Sequence, residues 1–253
     1  MFFQSSIRAT LVRRNSPTQC AADKNTPQSY RLHQERRCDK VANDRYDGCS
    51  FPQKPVKQIF VAMMTLTDFG DLAVLLPVSA AILAWLLAAR SPGGAVWWIA
   101  AVAMCTLATA LLKIYFFACP IGEDLVSPSG HTSFGTLVYG GLMVVVANEL
   151  RSGWRRIVAS CAVASFVVGI AISRFLLGAH SAAEILFGLA VGIISLGIFG
   201  QHYLRFPPAQ TRLRLLLIVV VVLITIFHGR ELHAEVLLRA ISGYLHVGST
   251  LCA

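Results

Sequence analysis

Hydrophobic and polar positions fall along this chain in long blocks, not in short alternations. From residue 72 onward apolar runs recur, each near the ~20 residues that a helix needs to cross the hydrocarbon core of a bilayer. Six such runs stand at residues 72–89, 95–118, 132–150, 157–172, 182–200 and 213–227. They predict an all-α integral membrane protein built as a six-helix bundle, closed by short polar connections. Residues 63–230 would form this membrane domain, followed by a C-terminal tail at 231–253.

Composition agrees with that pattern. The 253 residues are 55% hydrophobic and 14% charged, with a mean hydropathy of +0.62, which leaves too little polar surface for a soluble globule. The start of the chain is different material. Residues 1 to about 57 are rich in Arg, Asn, Gln, Ser and Pro, contain no apolar run, and cannot bury enough surface to fold alone. The expectation is a disordered basic extension over residues 1–62. It is no secretory signal, because the positive start is not followed by an apolar core of about 7 to 15 residues. Two readings of it stand open: a tail that touches anionic headgroups, or a start assigned too early, with Met63 or Met64 as the true one.

Charge gives the chain an orientation. Arg90 lies between the first and second runs, Arg151, Arg155 and Arg156 between the third and fourth, and Arg205, Arg212 and Arg214 between the fifth and sixth. Positive connections stay on the cytoplasmic side, so the alternate connections and the amino terminus face outward. The mildly acidic opening from Met63 to Asp68 suits an outward terminus better than a leader of net charge about +6, which favours the later start. The seven cysteines are scattered, with no CxxC pair. Cys105, Cys119, Cys161 and Cys252 lie in or beside apolar runs, and Cys20, Cys38 and Cys49 in the leader, so neither a zinc site nor a disulfide framework is indicated.

Polar groups at membrane depth or at helix ends are costly and mark function by default. They cluster in two places on the outward side. One holds Lys113, then Cys119-Pro120, then Ser127-Pro128-Ser129-Gly130-His131; the other holds Ser173-Arg174, five residues, His180, three residues and Glu184. A phosphoryl group in transfer spreads negative charge over three oxygens and needs fixed cations and donors. Arg174 and Lys113 supply cations, Ser129 a hydroxyl, and Gly130 a backbone N–H with no side chain in the way, at the opening of a helix. His180 and Glu184 are four apart, which on a helix puts both on one face. The carboxylate can then hold one ring nitrogen as a donor and leave the other to attack phosphorus, which makes His180 the candidate nucleophile.

Blander readings stand beside these. His202, His228, His233 and His246 read as packing or headgroup-level residues. Arg174 alone would read as a snorkelling anchor, and the His180–Glu184 pair as two zinc ligands, though no third ligand stands at a suggestive spacing. Glu123 and Asp124 read as a solvated loop. The glycines at 140–141 and 188–192 read as close helix packing, without chemistry.

These motifs resemble the type 2 phosphatidic acid phosphatase superfamily, which includes lipid phosphate phosphatases, bacterial acid phosphatases and vanadium haloperoxidases. The family pattern is Lys, six residues and Arg-Pro; then Pro-Ser-Gly-His; then Ser-Arg, five residues, His, three residues and Asp. Pro128 to His131 match the second part, and Ser173, Arg174 and His180 the third, over roughly residues 72–200. Two departures stand out. Glu184 occupies the aspartate position, and after Lys113 five residues lead to Cys119-Pro120, where the family arginine is missing.

The resemblance implies hydrolysis of a lipid phosphomonoester or polyprenyl pyrophosphate through a phosphohistidine on His180. His131 would protonate the leaving group and then take a proton from water, with no metal or cofactor. The implied partners are the bilayer and a membrane-embedded lipid phosphate, not nucleic acid. The site would face away from the cytoplasm, toward the periplasm if the chain is bacterial. The missing arginine keeps an alternative open, a weakened phospholipid-binding or transport protein on the same scaffold; a haloperoxidase would be expected as a soluble protein. An aspartate at position 184 is expected to keep much of any activity.

Overall fold

The computed structural model describes residues 53–118, 127–150, 152–205 and 213–230, together with Leu232 and Leu238. The expectations placed on residues 1–52, on Cys119-Pro120, on Glu123 and Asp124 and on most of the 231–253 tail lie outside the described residues.

Among the described residues the chain is all helix: α1 Gln53–Asp68, α2 Leu72–Ala88, α3 Pro92–Ala118, α4 Gly130–Glu149, α5 Gly153–Leu176, α6 Ala182–Arg205 and α7 Leu213–Phe227. The six apolar runs are α2 to α7. Five stretches, with α1 and α2 counted together from residue 58, are long and apolar enough to cross a membrane, and α7 is a shorter apolar helix. The protein is a multi-pass helical membrane protein.

Helix ends moved where local chemistry outweighs hydropathy. Pro92 starts α3 three residues ahead of its apolar run, as a residue with fixed φ and no N–H suits the first turn. Helix α5 continues past Ile172, so Ser173 and Arg174 form its last turn. Helix α1 was not foreseen and begins ten residues before the expected domain start at 63. Its apolar positions Val56, Ile59, Phe60, Met63 and Leu66 do recur at helical spacing, but over too short a run to read as a span.

Consecutive helices α2 to α7 run in alternate directions. Helix α4 is the most deeply buried of the long helices, packed chiefly against α6 and α5, while α3 packs on α6 and α2 on α7. Its neighbours turn Val96, Ile99, Leu107, Ile157, Leu186 and Ile194 outward, as lipid-facing helices do. The core joins Val74, Val78 and Ile82 of α2, Trp98 of α3, Leu137 and Val138 of α4, and Phe199 and Tyr203 of α6.

The α4–α6 contact is close because it uses glycine. A Cβ on Gly188 would lie 2.5 Å from the Ser129 carbonyl oxygen, and one on Gly192 2.6 Å from that of Ser133. Both obstacles are backbone, so neither can swing aside. Gly188→Ala is therefore expected to push α6 off the start of α4, at a cost of about 1–3 kcal/mol. A lower thermal unfolding temperature in detergent is the result to look for; an unchanged one would show slack in this contact.

Candidate active site

The topology brings one end of each helix to a common level. Asp71 opens α2, Lys113 lies near the end of α3, Gly130 opens α4, Arg174 lies at the end of α5 and Glu184 in the first turn of α6. There they enclose a cavity of about 320 Å³ lined by Lys113, Gly130, His131, Arg174 and His180 on its charged side. Five residues singled out in the sequence are thus brought together, though up to 67 positions separate them along the chain.

Glu184 stands behind His180 and holds it. Its Oε2 lies 2.9 Å from His180 Nδ1 and accepts from the Ser181 N–H at 3.0 Å, while Oε1 accepts from the Ser127 N–H at 2.7 Å. The pair does not share a helix, as the spacing alone suggested. His180 lies in the turn before α6, and Ser181 and Glu184 form a capping box, with Ser181 Oγ accepting from the Glu184 N–H at 3.3 Å. One carboxylate therefore caps α6, orients the histidine and fixes the Pro-Ser-Gly-His segment, which is fastened again by the Ser129 N–H donating to the Glu184 carbonyl at 3.0 Å.

The bond at Nδ1 leaves His180 Nε2 as the nitrogen for chemistry. Burial pushes the His180 pKa below the ordinary histidine range; the Glu184 hydrogen bond and charge oppose this, while Arg174 and Lys113 add to it. The ring is held neutral at neutral pH, the state a nucleophile requires.

Lys113 is buried, and its stem passes Gly130, whose added Cβ would lie 3.9 Å from Lys113 Cε. Arg174 Nη1 reaches to 3.5 Å from Thr67 Oγ1 at the end of α1. Ser129 is fully buried outside the cavity wall, and its hydroxyl accepts from Thr132 Oγ1 at 3.0 Å. Gly130 and His131, in the first turn of α4, line the cavity at the helix end where backbone N–H groups are unsatisfied and favour an anion. Among the described residues no three His, Cys, Asp or Glu side chains gather closely enough to hold a metal ion.

Sequence reasoning missed Thr67, Asp71, Thr106 and Thr109, and the role of the Ser127 N–H. An aspartate ahead of an apolar run is fully explained as a helix cap, which Asp71 is, with Oδ1 accepting from the Ala73 N–H at 2.8 Å. No local signal joins it to His131, 60 positions away.

Residues 113–206 match the family model of the PAP2 superfamily. The chain carries a domain of the PAP2 superfamily. The matched stretch begins at Lys113 and contains all seven residues that the sequence assigned to catalysis and phosphate binding, whereas Thr67, Asp71 and α7 lie outside it. No curated protein and no solved structure matches the chain. The PAP2 superfamily domain over residues 113–206 and the apolar helices together point to a membrane protein with a domain of a phosphatase family.

Proposed function

We propose that the chain hydrolyses a lipid phosphomonoester or a polyprenyl pyrophosphate, with His180 as covalent nucleophile. The observation that carries this reading is a cavity with a mixed lining. Besides Lys113, Arg174 and His180 it is lined by Leu72, Leu76, Ala110, Phe134, Leu232 and Leu238, and both Leu76 and Thr106 are also exposed on the outer surface of the bundle. An amphiphile with its tail in the bilayer can pass its phosphate between α2 and α3 to His180, because apolar walls hold a chain while Arg174, Lys113 and the start of α4 hold the anion.

In the first step His180 Nε2 bonds to phosphorus, the P–O bond to the lipid breaks, and His131 gives a proton to the leaving oxygen. In the second, water attacks the phosphohistidine, His131 takes its proton, and the P–N bond breaks to release phosphate. Arg90, Arg155, Arg156, Arg205 and Arg214 lie toward the opposite end of the bundle, which supports an active site on the non-cytoplasmic face.

The test is phosphate release by the detergent-purified protein, with chelator present, from phosphatidic acid, a polyprenyl pyrophosphate and water-soluble glycerol phosphate. Chelator-resistant release that favours a long-chain substrate is expected. Equal turnover of glycerol phosphate would remove the lipid from the proposal. Binding of the lipids without any release would favour the lipid-binding alternative, in which the cysteine at position 119 replaces a needed cation.

A further inference from the structure

The turn between α1 and α2 lies outside the matched stretch and outside every motif in the sequence, yet three contacts fasten it to the site. Tyr139 Oη of α4 donates to the Phe69 carbonyl at 2.7 Å. Gly70 lies directly on His131: an added Cβ would stand 3.1 Å from His131 Cβ, 3.2 Å from its Cδ2 and 2.8 Å from Ile170 Cγ2. Only glycine lets the turn come so near. Asp71 then enters the cavity wall, its Oδ1 occupied by the Ala73 and Leu232 N–H groups at 2.8 and 3.1 Å, and its Oδ2 3.7 Å from His131 Nε2.

A helix cap needs one oxygen, and serine or asparagine would serve as well. The second oxygen is what a carboxylate adds. Its side chain is only 10% exposed and faces a ring whose other charged neighbours in the cavity are the cations Arg174 and Lys113. An anion within 4 Å of an imidazole favours its protonated form.

We propose that Asp71 is a positioning residue for His131, holding the ring through Nε2 and stabilising the imidazolium form while the other ring nitrogen gives and takes the proton. The assignment rests on the phosphatase reading. The proton passes from the imidazolium to the leaving oxygen as the P–O bond breaks, and returns from the water that attacks the phosphohistidine; Asp71 itself exchanges no proton with the substrate. The separation of 3.7 Å is one of charge attraction, beyond hydrogen-bond length.

A positioning role for a general acid has a signature that a structural role lacks. The loss should follow how much the leaving group needs a proton. Asp71→Asn keeps an oxygen for the Ala73 and Leu232 N–H groups and removes the charge. It is expected to slow phosphate release from phosphatidic acid, whose leaving group is an alkoxide, by about 10- to 100-fold. Release from p-nitrophenyl phosphate, whose leaving group is stable as an anion, should fall by less than about threefold, since general-acid help counts little there. Asp71→Ser, a cap too short to reach His131, should show the same selectivity. In a His131→Ala background Asp71→Asn should add no further loss. Equal losses on both substrates in both variants, or losses that multiply in the double variant, would overturn the assignment while leaving the phosphatase reading intact. A wild-type protein inactive on both substrates would overturn that reading, and this assignment with it.

Discussion

Replacing His180 with alanine is expected to lower phosphate release by about 10⁴-fold or more, because removing a covalent nucleophile removes the whole two-step route. The change should not disturb the fold around it. Among the described residues the wild-type His180 ring bonds to Glu184 alone, and Glu184 keeps its Ser127 and Ser181 partners when the ring is gone. Acid-labile label trapped from a phosphorus-labelled substrate should be present in the wild type and absent from the variant. Turnover near wild type would remove His180 from the role of nucleophile.

Glu184 carries the second largest expected effect, because its carboxylate accepts from three sides. In Glu184→Gln a single oxygen replaces two. If it faces His180 and Ser181, the new NH₂ group meets the Ser127 N–H, donor against donor, at a site where the wild-type separation is 2.7 Å. If it faces Ser127, the histidine loses the acceptor that fixes its tautomer. Either way turnover should fall by about 10²- to 10³-fold. Glu184→Asp keeps the charge but is one methylene shorter, so it cannot serve both Ser127 and the His180–Ser181 pair. A loss of about tenfold is expected there, more than the residue pattern alone suggested. Equal activity in both variants would mean that the carboxylate has no part in turnover.

The pH profile separates a charge effect from a packing effect. With His180 as the proposed nucleophile, the rate is expected to fall on the acid side as its ring becomes protonated. Burial lowers its pKa and Glu184 partly restores it, through the hydrogen bond first and then its charge. Removing the negative charge makes protonation harder still. The acid limb of kcat/KM for Glu184→Gln should therefore move to lower pH than in the wild type on the same substrate, even as the plateau drops. An unmoved limb would show that Glu184 does not act on His180 electrostatically.

The membrane helices and the chemical motifs were legible in the sequence for different reasons. A span is a local quantity, since each helix must satisfy its own backbone bonds in lipid and so must be about 20 apolar residues long. Leu213–Phe227, shorter than such a span but wholly apolar apart from Arg214 and Thr225, stands as expected to the residue. Pro-Ser-Gly-His and the Ser-Arg and His spacing are local as well, and they lie at helix ends where lipid-facing residues would otherwise be apolar. Helix α1 was obscured because its apolar positions recur over too short a run, between the lysines at 54 and 57 and the polar Thr65, Thr67 and Asp68.

By itself the sequence determined that this chain is a helical membrane protein and which residues are candidates for the proposed phosphate chemistry. Tertiary structure alone decided how those residues are held. That Glu184 reaches Ser127 across 57 positions, that Gly70 lets a turn lie on His131, and that Leu232 and Leu238 of the presumed tail help close the cavity all depend on helices meeting at one level of the bundle. The residues on either side of such contacts read as an ordinary cap, an ordinary turn and an ordinary tail, because their partners are set by packing in space and leave no period or spacing along the chain.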